Sequence, residues 1–136
     1  MDMNTRSLKV LEFDKIVDRL AAMAVTDMGK EKACSIVPET DLTVINELLK
    51  ETTDGRDFIL KRGNPPLSGS HDIRGSLKRT AMGAILTPGE LLKIAEVLNA
   101  CRNLKNYSED RETDEEENCV KVLISQLEVN RHIEEK

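Results

Sequence analysis

Few residues in this 136-residue chain have the type and spacing that chemistry requires. The two histidines, His71 and His132, stand far apart, and neither lies in an H-x-x-x-H or H-E-x-x-H arrangement that would aim two ring nitrogens at one metal. Ordinary polar or half-buried histidines account for both. The three cysteines, Cys34, Cys101 and Cys119, form no C-x-x-C pair. Cys34 and Cys101 fall on or beside apolar faces, where a thiol packs as a small core residue. No serine or cysteine sits in a G-x-S-x-G-like turn that would present a nucleophile.

Two features invite a phosphate. Gly63, Gly69, Gly75, Gly83 and Gly89 punctuate the middle of the chain. There is no G-x-x-x-x-G-K-[ST] sequence, however, and no strand leads into them, so they read as turn and cap residues around short helices. Arg56, Lys61, Arg62, Arg74, Lys78 and Arg79 form a basic cluster opposed only by Asp57 and Asp72. Arg74 and Lys78 are i,i+4 neighbours on one helix face, with Arg79 beside them, and could touch a phosphate backbone. Solvated surface, or pairing with acids elsewhere, is the plainer explanation, because no aromatic stacking partner flanks the cluster. Tight, salt-sensitive binding lost in an Arg74→Ala/Lys78→Ala variant would favour the phosphate; the sequence predicts weak binding or none.

Bulk properties narrow the class. The length suits one domain over residues 1–136. With no Trp, one Tyr and two Phe, packing falls to Leu, Ile, Val, Met and Ala, and with 33% charged residues this favours helices joined through aliphatic stripes. A net charge of −5 gives no general attraction for nucleic acid. Sparse cysteines suit a reducing compartment, and neither a secretory signal nor an 18-residue apolar run occurs, so the expected location is the cytoplasm, with no membrane partner.

The elements follow from periodicity and caps. Phe13, Ile16, Val17, Leu20, Met23 and Ala24 share one helical face, while Leu8 and Leu11 fall off it, in an extended lead-in or an earlier helical turn. Thr26 can cap a short helix reaching about Ser35, and Pro38 ends that unit. Asp41 is a suitable N-cap for a helix carrying Leu42, Ile45, Leu48, Leu49, Thr52 and Ile59, with Gly55 a soft spot and Gly63 the stop. An extended Pro/Gly break covers 64–71. Asp72 can cap a helix through Ile73, Leu77 and Ala81, stopped at Gly83. Thr87-Pro88-Gly89-Glu90 reads as a capping box with Pro at the first helical position. Leu91, Ile94, Ala95, Leu98 and Cys101, widened by Val97 and Leu104, give that helix a face broad enough for two partners. Residues 108–118 hold seven acids against Arg111 and read as a solvated acidic loop. Cys119 to Leu127 is apolar and helical in pattern, and the chain stops at Lys136 without a cap, as a piece of a longer protein would. The fold expected is all-α, an irregular multi-helix bundle.

Three stretches carry a resemblance: Leu11-Glu12-Phe13-Asp14-Lys15-Ile16, Thr26-Asp27-Met28-Gly29-Lys30-Glu31, and Pro65-Pro66-Leu67-Ser68-Gly69 followed by Asp72-Ile73-Arg74, Leu77-Lys78-Arg79, Gly83, Leu86 and Glu90-Leu91. Together they resemble the N-terminal region of the second-type bacterial MutS family, the MutS paralogues that usually end in an Smr nuclease domain. Thr80 departs from the Ala common there, and Gly75 weakens the short helix. The resemblance covers nearly the whole chain. It implies the N-terminal part of a MutS-like core and lever domain, within a homodimeric ATPase that acts on branched DNA or stalled ribosomes. The ATPase with its ATP and Mg, the clamp and the Smr domain would lie outside this chain, which would hold no cofactor and no catalytic or metal residue. Its partners would be the remainder of the parent chain, the parent homodimer and, through them, DNA or the ribosome. The alternative is a free-standing helical module that binds a basic partner through the acidic loop. A Walker sequence downstream of Lys136 separates the two.

Overall fold

The computed structural model describes residues 5–109 and 118–134. Among them are eight helices and no strand: α1 (Thr5–Val10), α2 (Phe13–Met23), α3 (Asp27–Cys34), α4 (Leu42–Arg62), α5 (Arg74–Ala81), α6 (Pro88–Glu109), α7 (Cys119–Ser125) and α8 (Arg131–Glu134). The fold is all-α. Two compact units divide it, Met1–Lys50 and Glu51–Lys136, with α4 starting in the first and finishing in the second.

In the first unit the chain turns sharply between α1 and α2. Glu12 adopts a left-handed backbone at φ 54°, which costs a side-chain-bearing residue about 1–2 kcal/mol. Its carbonyl accepts the Lys15 N–H at 3.0 Å, and its carboxylate meets the Lys15 ammonium at 2.6 Å. This kink puts Leu8 in a separate helical turn and explains why it falls off the α2 stripe. Thr26 caps α3 by accepting the Gly29 N–H on Oγ1 at 3.0 Å. A Cβ on Gly29 would lie only 3.0 Å from that same oxygen, so a side chain there would crowd the cap. Ala33 of α3 is buried, and α3 packs against α2. Asp41 then caps α4, its Oδ1 accepting the N–H groups of Thr43 and Val44 at 2.8 and 3.3 Å.

The α2 stripe is only half covered. Phe13, Val17 and Ala21 are partly buried, yet Ile16, Leu20 and Met23 stay 59%, 45% and 80% exposed. α2 packs against α1 and α3, short helices that cover one side of it. On α4, Leu48 and Leu49 are likewise exposed.

The second unit is organised along α6. Phe58, buried to 4% exposure, meets Tyr107 of α6 edge-on, with ring centroids 5.6 Å apart and an interplanar angle of 74°. The Arg62 guanidinium lies 5.0 Å from the Phe58 centroid and donates to the Tyr107 carbonyl at 2.8 Å. The Tyr107 hydroxyl in turn donates to the Gly63 carbonyl at 2.6 Å. Burial pushes the Tyr107 phenol above its usual range, with the Arg62 charge opposing. The aromatic pair and the cation–π contact are each worth about 0.5–1.5 kcal/mol beyond area burial. Together they clamp the end of α4 to the end of α6. Gly63, at φ 83°, lets the chain leave α4 there.

α7 is fixed to α4 by polar contacts. Asn118 accepts the Val120 N–H at 2.9 Å and donates to the Asp54 carbonyl at 3.0 Å, while the Cys119 N–H donates to the Asp54 carboxylate at 3.1 Å. A Cβ added at Gly55 would lie 4.0 Å from Val120 Cγ2, an ordinary contact, so the position read as a soft spot lies beside α7 without needing to be glycine. Ile124 is buried on the same helix. On α6, Ile94, Val97, Leu98, Cys101 and Leu104 are half-buried as the stripe predicts, but Leu91 is 54% exposed and the most buried residue is Ala100, outside that stripe. α5 meets the start of α6 through a polar contact of Ser76 and Arg79 with Glu90.

The connection 63–73 contains no helix and turns at Ser68–Gly69. Within the acidic run, Ser108 and Glu109 belong to α6, residues 110–117 lie outside the described residues, and Asn118 caps α7. No helix among the described residues is long and apolar enough to cross a membrane. Truncating Phe58→Ala should cost about 3–5 kcal/mol, and Tyr107→Phe about 1 kcal/mol through the lost Gly63 bond, both read by urea denaturation. Equal, negligible losses would contradict the clamp.

Candidate functional site

The joint between α5 and α6 is built on one carboxylate. Glu90 occupies the third position of α6, where its Oε2 accepts the Thr87 N–H and the Thr87 hydroxyl, each at 2.9 Å. The Glu90 N–H closes the box on Thr87 Oγ1 at 3.4 Å. The other oxygen faces α5: Oε1 accepts the Ser76 hydroxyl at 3.0 Å and pairs with the Arg79 guanidinium. The residue that starts α6 therefore also holds α5. α5 stops by a Schellman turn, with the Gly83 N–H donating to the Thr80 carbonyl and the Ala84 N–H to that of Arg79, at 2.9 and 3.0 Å. Gly83 has φ 82°, as that turn needs. Gly75 and Gly89, by contrast, are ordinary residues inside the first turns of α5 and α6.

Asp72 differs slightly from its expected role. The residue flanking α5 is Ile73, which makes no side-chain cap, and Asp72 reaches in from one position earlier. Its Oδ1 accepts the Arg74 N–H at 3.0 Å and Nε at 2.9 Å, and its Oδ2 accepts Nη2 at 2.7 Å. The forked guanidinium beside it, with the backbone bond, holds its carboxyl at about 2, well below the usual carboxylate range.

The basic cluster is thus spread among different tasks. Arg56 pairs with Asp57, Arg62 turns inward over Phe58, Arg74 pairs with Asp72 and Arg79 with Glu90. Lys78 is exposed on α5 and makes no ion pair with a described residue. A phosphate touching Arg74 or Arg79 would compete with a carboxylate already in place.

One contact escapes sequence reasoning altogether. His71 Nε2 lies 2.5 Å from Glu96 Oε2, and the two share a shallow crevice of about 340 Å³ with Ser68, Gly69 and Asn99. Gly69 has φ 85°, and a Cβ there would lie 3.0 Å from the Glu96 carbonyl. The proline-glycine connection is thereby seated directly on α6. No group of three metal-ligating side chains occurs among the described residues.

An all-α segment whose polar side chains mainly join helices is the class that fold and site define. Comparison with known proteins places it in a family. It is 53% identical over 135 residues to "Endonuclease MutS2" of Acetivibrio thermocellus, 47% over 134 to that of Ruminiclostridium cellulolyticum, and 37% over 134 to that of Alkaliphilus metalliredigens. Each alignment covers 98% of this chain and 17% of the relative, so the chain spans about a sixth of the length of the curated relatives it matches. The chain belongs to the MutS2 family, as an N-terminal segment of it. No family model matches it, and no solved structure does.

The depressed Asp72 carboxyl gives a signed prediction. Its contribution to α5 is present above the unfolded value near 4 and lost as pH falls through about 2. A carboxyl-carbon NMR titration should find that midpoint, and one near 4 would contradict the pairing. Glu90→Ala should cost about 1–3 kcal/mol by loss of the cap and the charged bonds. Thermal denaturation followed by circular dichroism would register it.

Proposed function

We propose that this chain is a non-catalytic structural part of a MutS2-type ATPase and endonuclease, in which it belongs to the helical core and lever region and couples the ATPase to a nucleic-acid clamp. The similarity along 98% of the chain to proteins about six times longer is the observation that carries this reading. Two further features support it. The polar joints at Glu90 and Asp54 hold helices at fixed relations, as a force-transmitting element needs. The exposed apolar residues Ile16, Leu20 and Met23 of α2, and Leu48 and Leu49 of α4, are suited to cover by the remainder of the parent chain.

In the parent, ATP and Mg are bound in the ATPase domain, and the whole assembly is a cytoplasmic homodimer that acts on branched DNA or stalled ribosomes. Contact with nucleic acid from α5, where it occurs, falls to Lys78 flanked by Arg74 and Arg79. The free-standing adaptor reading gains no support from the described part of the acidic run, since Ser108 and Glu109 continue α6 and Asn118 caps α7.

A chimera tests the proposal. This chain replaces the matching residues of the Acetivibrio thermocellus relative, and ATPase turnover and ATP-dependent retention of branched DNA or ribosomes are measured. Retention of both is expected. In the chimera, Glu90→Ala should lower the nucleotide dependence of retention more than ATP turnover. A chimera that folds and hydrolyses ATP but shows no sensitivity to Glu90→Ala would contradict the coupling role.

A further inference from the structure

The two sides of α5 are built differently. Ser76 and Arg79 bind Glu90 and so mark the side that meets α6. The opposite side carries Arg74, Leu77, Lys78 and Ala81, with Met82 at the C-cap, related by i,i+3 and i,i+4 steps. All five are exposed, Met82 to 78%. Ile85, just past the Schellman turn, is 96% exposed. Periodicity groups Ile73 with Leu77 and Ala81, yet only Ile73 is half-buried. Lone exposed leucines are common on protein surfaces. Large apolar side chains on both flanks of one ammonium, on a helix held by charge-assisted bonds, make a prepared surface.

The charge of this surface decides what fits it. Arg74 is forked onto Asp72, and Arg79 is bound to Glu90. Lys78, between the Leu77–Ala81 row and Met82, makes no ion pair with a described residue. The acids of residues 110–117 follow the opposite end of α6, about 30 Å along that helix from Glu90. A phosphate backbone would have to displace carboxylates from both arginines, and it has no use for Leu77, Met82 or Ile85. An apolar segment with one carboxylate matches the surface as it stands.

Area then separates a tethered occupant from a free one. A stable complex between separate chains buries about 800 Å² on each partner. Two helical turns and Ile85 offer on the order of a few hundred Å². A segment of the same polypeptide needs far less, because the connecting chain holds it at an effective concentration of about millimolar. In the MutS2 relatives, 17% of the length matches this chain, so about five-sixths lies outside it.

We infer that the outer face of α5 seats a segment from the remainder of the MutS2 parent. That segment lays apolar side chains on Leu77, Met82 and Ile85 and places a carboxylate against Lys78. The inference rests on the parent-chain reading above and adds a definite seat to it. Glu90, by fixing α5 from behind, holds the seat in position.

The test uses the chimera described above. A water-soluble carbodiimide joins an ammonium to a carboxylate in direct contact, and mass spectrometry identifies the linked peptides. Lys15 and Glu12, in contact at 2.6 Å, provide the internal control. A link from Lys78 to an Asp or Glu outside residues 1–136 is expected. Met82 should also be oxidised by peroxide at least about tenfold more slowly than free methionine amide, whereas an open side chain reacts at nearly the free rate. Lys78→Glu should remove most of that protection, and Lys78→Arg should keep it. No Lys78 link while the control link forms, links confined to residues 1–136, or Met82 open until DNA or ribosomes are added would each overturn the inference. Met23 of α2 separates it from the wider reading. Met23 protected with Met82 open sinks the α5 seat alone, and both open sinks the parent-chain reading as well. Should the chimera not fold, the same links are read in a full-length MutS2 protein carrying this segment.

Discussion

A single carboxylate, Glu90, fixes where one helix begins and where its neighbour lies. Its two oxygens face in different directions, one toward the Thr87 cap and one toward Ser76 and Arg79. The cap of α6 and the contact with α5 thus share one side chain. The rest of the second unit is then referred to α6: the 63–73 connection through His71 and Gly69 at Glu96, and α4 through the Phe58–Tyr107 clamp. Such dependence on polar joints follows from composition. With two Phe, one Tyr and no Trp, this chain has few large rings to lock helices together. Among the described residues the buried hydrophobic ones are Ala33, Phe58, Ala100 and Ile124. Charge-assisted hydrogen bonds with defined geometry supply the orientation that bulky packing supplies elsewhere.

Seen this way, the stretches that carry the family resemblance have structural reasons. Thr26 and Gly29 are the two halves of one helix cap. Asp72 and Arg74 form a fork that begins α5, and Arg79 with Glu90 joins it to α6. Gly69 is required twice, by its positive φ and by its approach to the Glu96 carbonyl. These residues serve the positions of helices.

Local chemistry was legible in the sequence and distant chemistry was not. The caps at Thr26, Asp41 and Thr87, and the stops at Gly63 and Gly83, depend on residues within a few positions of one another, and the structure forms all five. The basic cluster shows the opposite case. Adjacent numbers suggested one surface, yet Arg62 lies over Phe58 because Tyr107, 45 residues onward, offers it a carbonyl. The second role of Glu90 and the His71–Glu96 contact are equally non-local. Apolar stripes were visible by periodicity, but the covered half of each was not, because coverage depends on which neighbours a helix meets. That is why Ile16 and Leu91 are exposed while Ala100, outside the stripe, is buried.

The coupling role is tested most directly by hydrogen exchange in a full-length MutS2 protein carrying this segment, compared with and without a non-hydrolysable ATP analogue. The α5–α6 joint is made by Ser76, Arg79, Thr87 and Glu90. If nucleotide state passes through this segment, protection across the joint changes on nucleotide binding, and Glu90→Ala abolishes the change. Identical protection in the two nucleotide states, in a protein that demonstrably binds the analogue, would contradict the account.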